Sequence, residues 1–221
     1  MSIIQYLEEN KTTNQPLSGN LYAELQEDIL MGKLKAGSKL TEQKICEEYK
    51  VSRTPVREAL RQLEVEGLIE NIPNRGAFVI GLSQQDIEDM FLLRRSYEIQ
   101  AVRWAIERIS TEEMDELEET FEFMEFYTMK NDIGKMQSIN TAFHQIIYNA
   151  THNRMLRQLL SSYQLYLKFC NPPNYYAPDY LSTVLEEHRA IFEAFKAHDV
   201  EGGALAMTAH MDNARERRFK P

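Results

Sequence analysis

The chain has 221 residues, of which 43% are hydrophobic and 27% charged, and a formal net charge of −9. That is the profile of a globular protein with room for one large or two ordinary domains. No apolar run is long enough to span a membrane, and the first residues lack the basic-then-apolar pattern of a signal peptide, so a cytoplasmic location and no membrane partner are expected.

The net charge argues against a nucleic-acid partner only until it is divided. Residues 1–80 hold 10 Lys and Arg against 12 Asp and Glu, and residues 81–221 hold 15 against 22. The acidity therefore lies mostly in the second part. Screening limits exposed charges to a reach of about 10 Å, so a local arginine cluster can still meet phosphate. The two cysteines, Cys46 and Cys170, sit far apart without metal-ligand spacing and read as packed thiols.

In chain order, residues 1–16 form a polar arm in which Ile3, Ile4, Tyr6 and Leu7 can make a short apolar face. Leu21, Leu25, Ile29 and Leu30 then recur at helical spacing up to Gly32, which predicts a helix over about residues 18–31. Gly37 marks a turn. Thr41 followed by Glu42 opens a second, short helix carrying Ile45, Cys46 and Tyr49.

After the tight connection Lys50-Val51-Ser52 comes the most informative segment, from Arg53 to Glu64. Thr54 before Pro55 is a helix-start signal. From there Arg53, Arg57 and Arg61 line one stripe, while Val56, Ala59, Leu60 and Leu63 line another. A guanidinium carries a permanent charge and a planar fork of donors that suits phosphate oxygens and the O6/N7 edge of guanine. Taken alone, the stripe also fits an ordinary amphipathic helix with a solvated basic face.

The flanks decide between these readings. Leu68 to Ile72 and Ala77 to Ile80 are short β-type runs separated by the turn cluster Pro73-Asn74-Arg75-Gly76, so the pair reads as a hairpin. Three helices followed by a hairpin make a winged helix-turn-helix. In that arrangement the third helix enters the major groove, and the wing brings Arg75 and Gly76 to phosphate or the minor groove. Arg61, farther from the helix start, reads as a phosphate contact or a solvated charge.

The segments Leu34 to Leu40, Val51 to Leu60, Gly67-Leu68-Ile69 and Arg75 to Val79 together resemble the GntR-type bacterial transcriptional regulators over about sixty residues. The resemblance implies that Arg53, Thr54 and Arg57 contact operator DNA, with Gly76 at the wing. Many relatives carry arginine in the second helix where this chain has Gln43, which bears on one base or phosphate contact and on the operator sequence.

Residues 81–84 read as a linker, so the expected domains are 1–80, with the arm, and 85–221. Beyond the linker the pattern is helical throughout, with helices expected over about 84–109, 110–129, 132–150, 153–170, 180–197 and 200–218. The turn signals between them include Asn131-Asp132, His152-Asn153, Asn171-Pro172-Pro173-Asn174 and His198-Asp199. Ser110 with Glu113 makes a capping box. The expected fold is mainly α, an N-terminal winged helix-turn-helix plus a C-terminal all-helical bundle.

Three of the five histidines stand out. His144 lies one turn after Asn140, so both side chains leave the same helix face. His188 and His210 lie in helices expected to face the bundle core. Imidazoles converging from separate helices are a common way to hold a divalent metal, although each can equally be a hydrogen-bonded or exposed histidine. Arg94 is suited to clamp a carboxylate, or else pairs with Glu98 at i+4 in a surface salt bridge.

Residues 85–215 resemble the FCD effector domain of the fatty-acid-regulator branch of GntR proteins, in Arg94-Arg95-Ser96-Tyr97-Glu98, Phe143-His144, Glu187-His188-Arg189 and His210. Many members hold zinc, nickel or another divalent ion on Asp, His, His and His. The resemblance thus implies a metal site at Asn140, His144, His188 and His210, with asparagine in the usual aspartate position. An Asn carbonyl is a weaker, neutral donor that leaves the ion its full charge, which favours an anionic effector such as a small organic acid. The expected function is a homodimeric, ligand-responsive repressor on an inverted-repeat operator. A three-histidine metalloenzyme fused to a DNA-binding module and a DNA-binding adaptor without a sensor are the alternatives.

Overall fold

The computed structural model describes residues 17–169 and 179–219, with side chains from Leu21 onward. The arm at 1–16, Cys170 and the Asn171 to Asn174 turn lie outside the described residues. The chain divides into two compact units, one built on residues 17–88 and the other on residues 89–167 and 179–219.

In the first unit, helix α1 (Leu17–Leu30) packs against α3 (Arg53–Val65), with α2 (Glu42–Tyr49) beside α3. The core consists of the apolar stripes read from the sequence: Leu21, Leu25 and Ile29 meet a face on which Val56, Ala59 and Leu63 are fully buried. Burying such side chains is worth about 1.5–3 kcal/mol each for the larger ones, which is what holds so small a unit together. Thr41 caps α2 by accepting the Lys44 amide at 3.4 Å, and Lys50 ends the helix in the left-handed region at φ 54°.

Helix α3 begins ahead of the Thr54-Pro55 signal. Ser52 is the residue before the first helical turn, and its side chain makes no capping bond. Pro55 is therefore the third helical residue, a place it tolerates because the first amides of a helix have no intrahelical partner.

Strands β2 (Ile69–Ile72) and β3 (Gly76–Val79) form the expected hairpin, in the register Ile69 with Val79 and Ile72 with Gly76. Its loop turns through Asn74 at φ 61° and Gly76 at φ 95°, and the Arg75 amide donates to the Ile72 carbonyl at 3.0 Å. A further strand, β1 (Lys39–Leu40), pairs with β3 through Lys39 and Phe78, giving the order β1-β3-β2. Two residues carry too little alternation to announce a strand.

The second unit is helical: α4 (Gln84–Arg108), α5 (Thr111–Met129), α6 (Ile133–Ala150), α7 (Arg154–Phe169), α8 (Tyr180–Lys196) and α9 (Val200–Phe219). Its helix boundaries follow the sequence signals closely. Ser83 and Asp86 bond reciprocally at the start of α4, and Ser110 and Glu113 form the full capping box of α5. Asn131, His152 and His198 take left-handed backbone angles at helix ends, so the last two histidines serve turns and not the core.

Half of the residues of helix α6 are buried. Ile139, Phe143, Ile147 and Tyr148 are fully enclosed. Helices α5 and α8 meet through the stacked rings of Phe121 and Phe192, 4.7 Å apart. Helix α9 comes close to α4 at Gly203, where a Cβ would press on Ile106 and stand 3.0 Å from Val102. No described helix is long and apolar enough to cross a membrane.

Candidate nucleic-acid interface and metal centre

On the first unit, the residues expected to read DNA are all available. Arg53, Thr54, Arg57 and Arg61 are exposed on α3, on the side away from Val56, Ala59 and Leu63, and Gln43 is exposed on α2. Arg57 donates through Nε to Glu42 at 2.8 Å, a bond that holds the Glu42 carboxyl below its ordinary value. Gln43 donates to Glu47 at 3.0 Å. Exposed pairs of this kind contribute little to stability, so a phosphate or guanine edge can replace Glu42 on Arg57 at small cost.

The wing carries a residue that sequence reasoning missed. Arg75 lies over one side of the Phe78 ring at 5.5 Å, and Lys39 reaches the same ring at 5.9 Å. Pairing of β1 with β3 therefore sets two cations on the wing instead of one. Gly76 suits the turn because φ 95° disfavours any side chain; a Cβ would also sit 3.3 Å from Lys39 Cε, the flexible part of a side chain that can shift. The signal for Lys39 was the strand β1, which its length concealed.

In the second unit, His144 on α6, His188 on α8 and His210 on α9 converge. Their ring centroids are 5.5 Å (His144 to His188), 5.3 Å (His144 to His210) and 4.5 Å (His188 to His210) apart. One nitrogen of each lies within 4.8 Å of the others, and all three rings are buried. Asn140 is half-buried one turn before His144 on α6.

The hydrogen bonds of the rings indicate which nitrogens face inward. His188 Nδ1 lies 2.7 Å from the Val184 carbonyl, an acceptor only, so Nδ1 carries the proton and Nε2 keeps its lone pair. His210 Nδ1 lies 2.9 Å from Glu187 Oε2, with the same consequence. Burial, reinforced by the neighbouring imidazoles, pushes His188 well below its ordinary pKa; burial also lowers His210, against the pull of Glu187. Neutral imidazoles are the form that binds metal.

Glu98 on α4 is the second residue that the sequence reading undervalued. Its side chain is fully buried, accepts from Arg94 at 3.0 Å (Nε) and 2.8 Å (Nη2) and from the Tyr148 hydroxyl, and places Oε2 3.4 Å from His144 Nδ1. Burial raises this carboxyl, but His144, Arg94 and Tyr148 outweigh it and hold it at about 2. The Arg94 to Glu98 pair exists, then, as a buried pair and not a surface one, with 12% and 0% of the side chains exposed. The available signal was position: Glu98 shares a helical stripe with Ala101, Val102 and Ala105, all fully buried.

Among the described residues, four buried side-chain polar atoms have no hydrogen-bond partner: Glu98 Oε2, both nitrogens of His144, and His188 Nε2. Buried polar atoms are ordinarily paired, so a concentration of unpaired ones around three imidazoles calls for an explanation. A divalent cation held among the imidazoles would partner the inward nitrogens of His144 and His188. A donor set of three neutral imidazole nitrogens suits zinc or nickel better than calcium or magnesium.

Residues 17–79 match the model of bacterial regulatory proteins of the gntR family, and residues 89–213 match the FCD domain. The chain belongs to the gntR family. Among its curated relatives, the HTH-type transcriptional regulator YdhC of Bacillus subtilis is 31% identical, over 87% of this chain and 86% of that one. The transcriptional repressor RspR of Escherichia coli is 24% identical over 91% and 89%, and the galactonate operon repressor of the same organism 26% over 84% and 90%. The fold matches that of Escherichia coli McbR/YncC with a TM-score of 0.73 at 22% identity, covering 93% of this chain and 98% of that chain. As a gntR-family protein it is a DNA-binding transcriptional regulator, and the metalloenzyme alternative is set aside because its relatives are regulators and not enzymes.

Proposed function

We propose that the chain is a homodimeric, ligand-responsive repressor acting in the cytoplasm on an inverted-repeat operator. Residues 1–80 form the DNA-binding domain, 81–84 the linker, and 85–221 the effector-binding and dimerisation domain. Arg53, Thr54 and Arg57 read or position the operator, aided by Gln43, Arg75 and Gly76. Two copies present two recognition helices to two half-sites, which is what a palindromic operator requires.

His144, His188 and His210 hold a divalent cation, zinc or nickel, with Asn140 as a neutral oxygen donor. When bound, the cation would supply a positive anchor for a small organic-acid effector, and Arg94, whose Nε and Nη2 stay on Glu98, would offer its Nη1 to the far end of that acid. The observation that carries this reading is the convergence of three buried imidazoles, His144 and His188 among them with unpaired nitrogens, in a chain that also exposes a recognition helix. An effector changes DNA binding only to the extent that it prefers one arrangement of the protein, so preferential binding is the property to measure.

A thermal-shift screen of small carboxylates, with and without zinc or nickel, tests the sensing half. The expected result is a metal-dependent rise for a subset of acids, since a ligand selective for the folded state stabilises by mass action. Equal shifts with and without metal would overturn the metal-anchored mode and leave direct contact by the histidines. A gel shift on promoter DNA tests the other half, with binding expected to weaken as salt rises.

A further inference from the structure

We propose that Glu98 is a positioning residue for the metal centre: its Oε2 accepts the Nδ1 proton of His144 and so turns His144 Nε2 toward His188 and His210. The proposal rests on the metal reading above and adds to it the group that orients the histidine whose own bonds leave its proton unassigned.

The three rings follow one rule once Glu98 is included. His188 is held at Nδ1 by the Val184 carbonyl at 2.7 Å, and His210 at Nδ1 by Glu187 at 2.9 Å. His144 Nδ1 has Glu98 Oε2 at 3.4 Å, and both atoms are buried without another partner. A bond between them would satisfy both. Each imidazole then offers the same nitrogen, Nε2, to the centre.

Glu98 is also held firmly enough to do this. Its other oxygen receives Arg94 through Nε and Nη2 and the Tyr148 hydroxyl, so the carboxylate cannot swing away from His144 without breaking those bonds. With asparagine at 140, negative charge reaches the centre through histidines, from Glu98 by way of His144 and from Glu187 by way of His210. A carboxylate bonded to a ligand imidazole fixes its tautomer and raises its basicity, and removing such a partner weakens metal binding about 10- to 100-fold.

Glu98→Gln separates positioning from simple charge. Arg94 and Tyr148 are donors, so the glutamine carbonyl stays with them and its NH2 faces His144. Nδ1 must then accept, the ring proton moves to Nε2, and the lone pair leaves the centre.

The experiment is two-bond ¹H–¹⁵N correlation of the histidine rings in metal-free full-length protein, with zinc affinity measured by chelator competition. Wild type is expected to show His144 protonated at Nδ1. In Glu98→Gln the proton is expected at Nε2, with zinc affinity lower by about 10- to 100-fold. A wild-type His144 protonated at Nε2 overturns the proposal while leaving zinc binding to be judged separately. Folded Glu98→Gln with wild-type zinc affinity overturns it as well. If that variant does not fold, Arg94→Gln with Glu98→Gln removes the buried charge pair, and the wild-type tautomer decides by itself. Wild type with the Nδ1 proton but no zinc uptake overturns the metal reading and this proposal together, so the tautomer distinguishes the two failures.

Discussion

The two units use arginine in opposite ways. Arg57 on the recognition helix is exposed and shares an ion pair with Glu42 in which both partners meet solvent, with side-chain exposures of 65% and 35%. Arg94 in the helical unit is bonded to a carboxylate with no exposure at all. Water screens the first pair and makes it exchangeable, which the proposed contact of Arg57 with DNA requires. The second has given up hydration on both sides and is held by further bonds to Tyr148. Removing one partner of such a pair leaves an uncompensated buried charge, whereas removing one partner of an exposed pair leaves a solvated ion. One unit is built to exchange partners and the other to keep its geometry.

The contrast is sharpest in Glu98→Ala. Leaving the Arg94 guanidinium unpaired in the core is expected to destabilise the helical unit by about 3–5 kcal/mol in urea unfolding. A loss below about 1 kcal/mol would mean that water reaches Arg94 and that the two arginines are not so different. Gly203→Ala probes the same rigidity through packing alone. The added methyl presses on Ile106 and Val102, and a cost of about 1–3 kcal/mol is expected.

Most of the fold was legible in the sequence because helix stripes, caps and left-handed turn residues are local signals. Ser110 with Glu113, Asn131 and the Leu21, Leu25, Ile29 stripe each mark structure within a few residues of themselves. Strand β1 was not legible, since two residues have no period, and Lys39 was missed with it. The histidines could be nominated from their positions on three helices, but their convergence depends on how α6, α8 and α9 pack. Glu98 illustrates the harder limit. A carboxylate four residues after an arginine reads as a surface pair, and only its place on a buried stripe indicates otherwise.

Acid should weaken the helical unit in two separate windows. His188 has a depressed pKa in the folded chain, so below about 6.5 the unfolded chain takes up a proton that the folded one refuses. Stability of the helical unit is therefore full above that pH and falls as pH drops, by up to about 1.4 kcal/mol per pH unit for this group. Glu187 adds a lower window: desolvation raises its carboxyl, but Arg217 and His210 outweigh that and bring it to about 2, so its contribution is present above 4.5 and is lost between about 4.5 and 2. Denaturant midpoints from pH 8 to 5 check the first window, and His188→Gln should flatten it. An unchanged slope in that variant would move the acid sensitivity elsewhere.

The smallest effect on folding is expected from Arg57→Ala, whose side chain is exposed. Its melting temperature should match wild type while operator affinity falls about tenfold or more in a gel shift at fixed salt. Undiminished binding would remove Arg57 from the interface.

Calorimetric titration of zinc into the metal-free full-length chain tests the central claim, that the buried histidines form a metal centre in a chain that also carries a DNA-binding unit. The account predicts one ion per chain in wild type and none held by the core of His188→Ala, with both proteins retaining their helical circular dichroism. Failure of wild type to take up zinc or nickel, or equal uptake by folded His188→Ala, would contradict it.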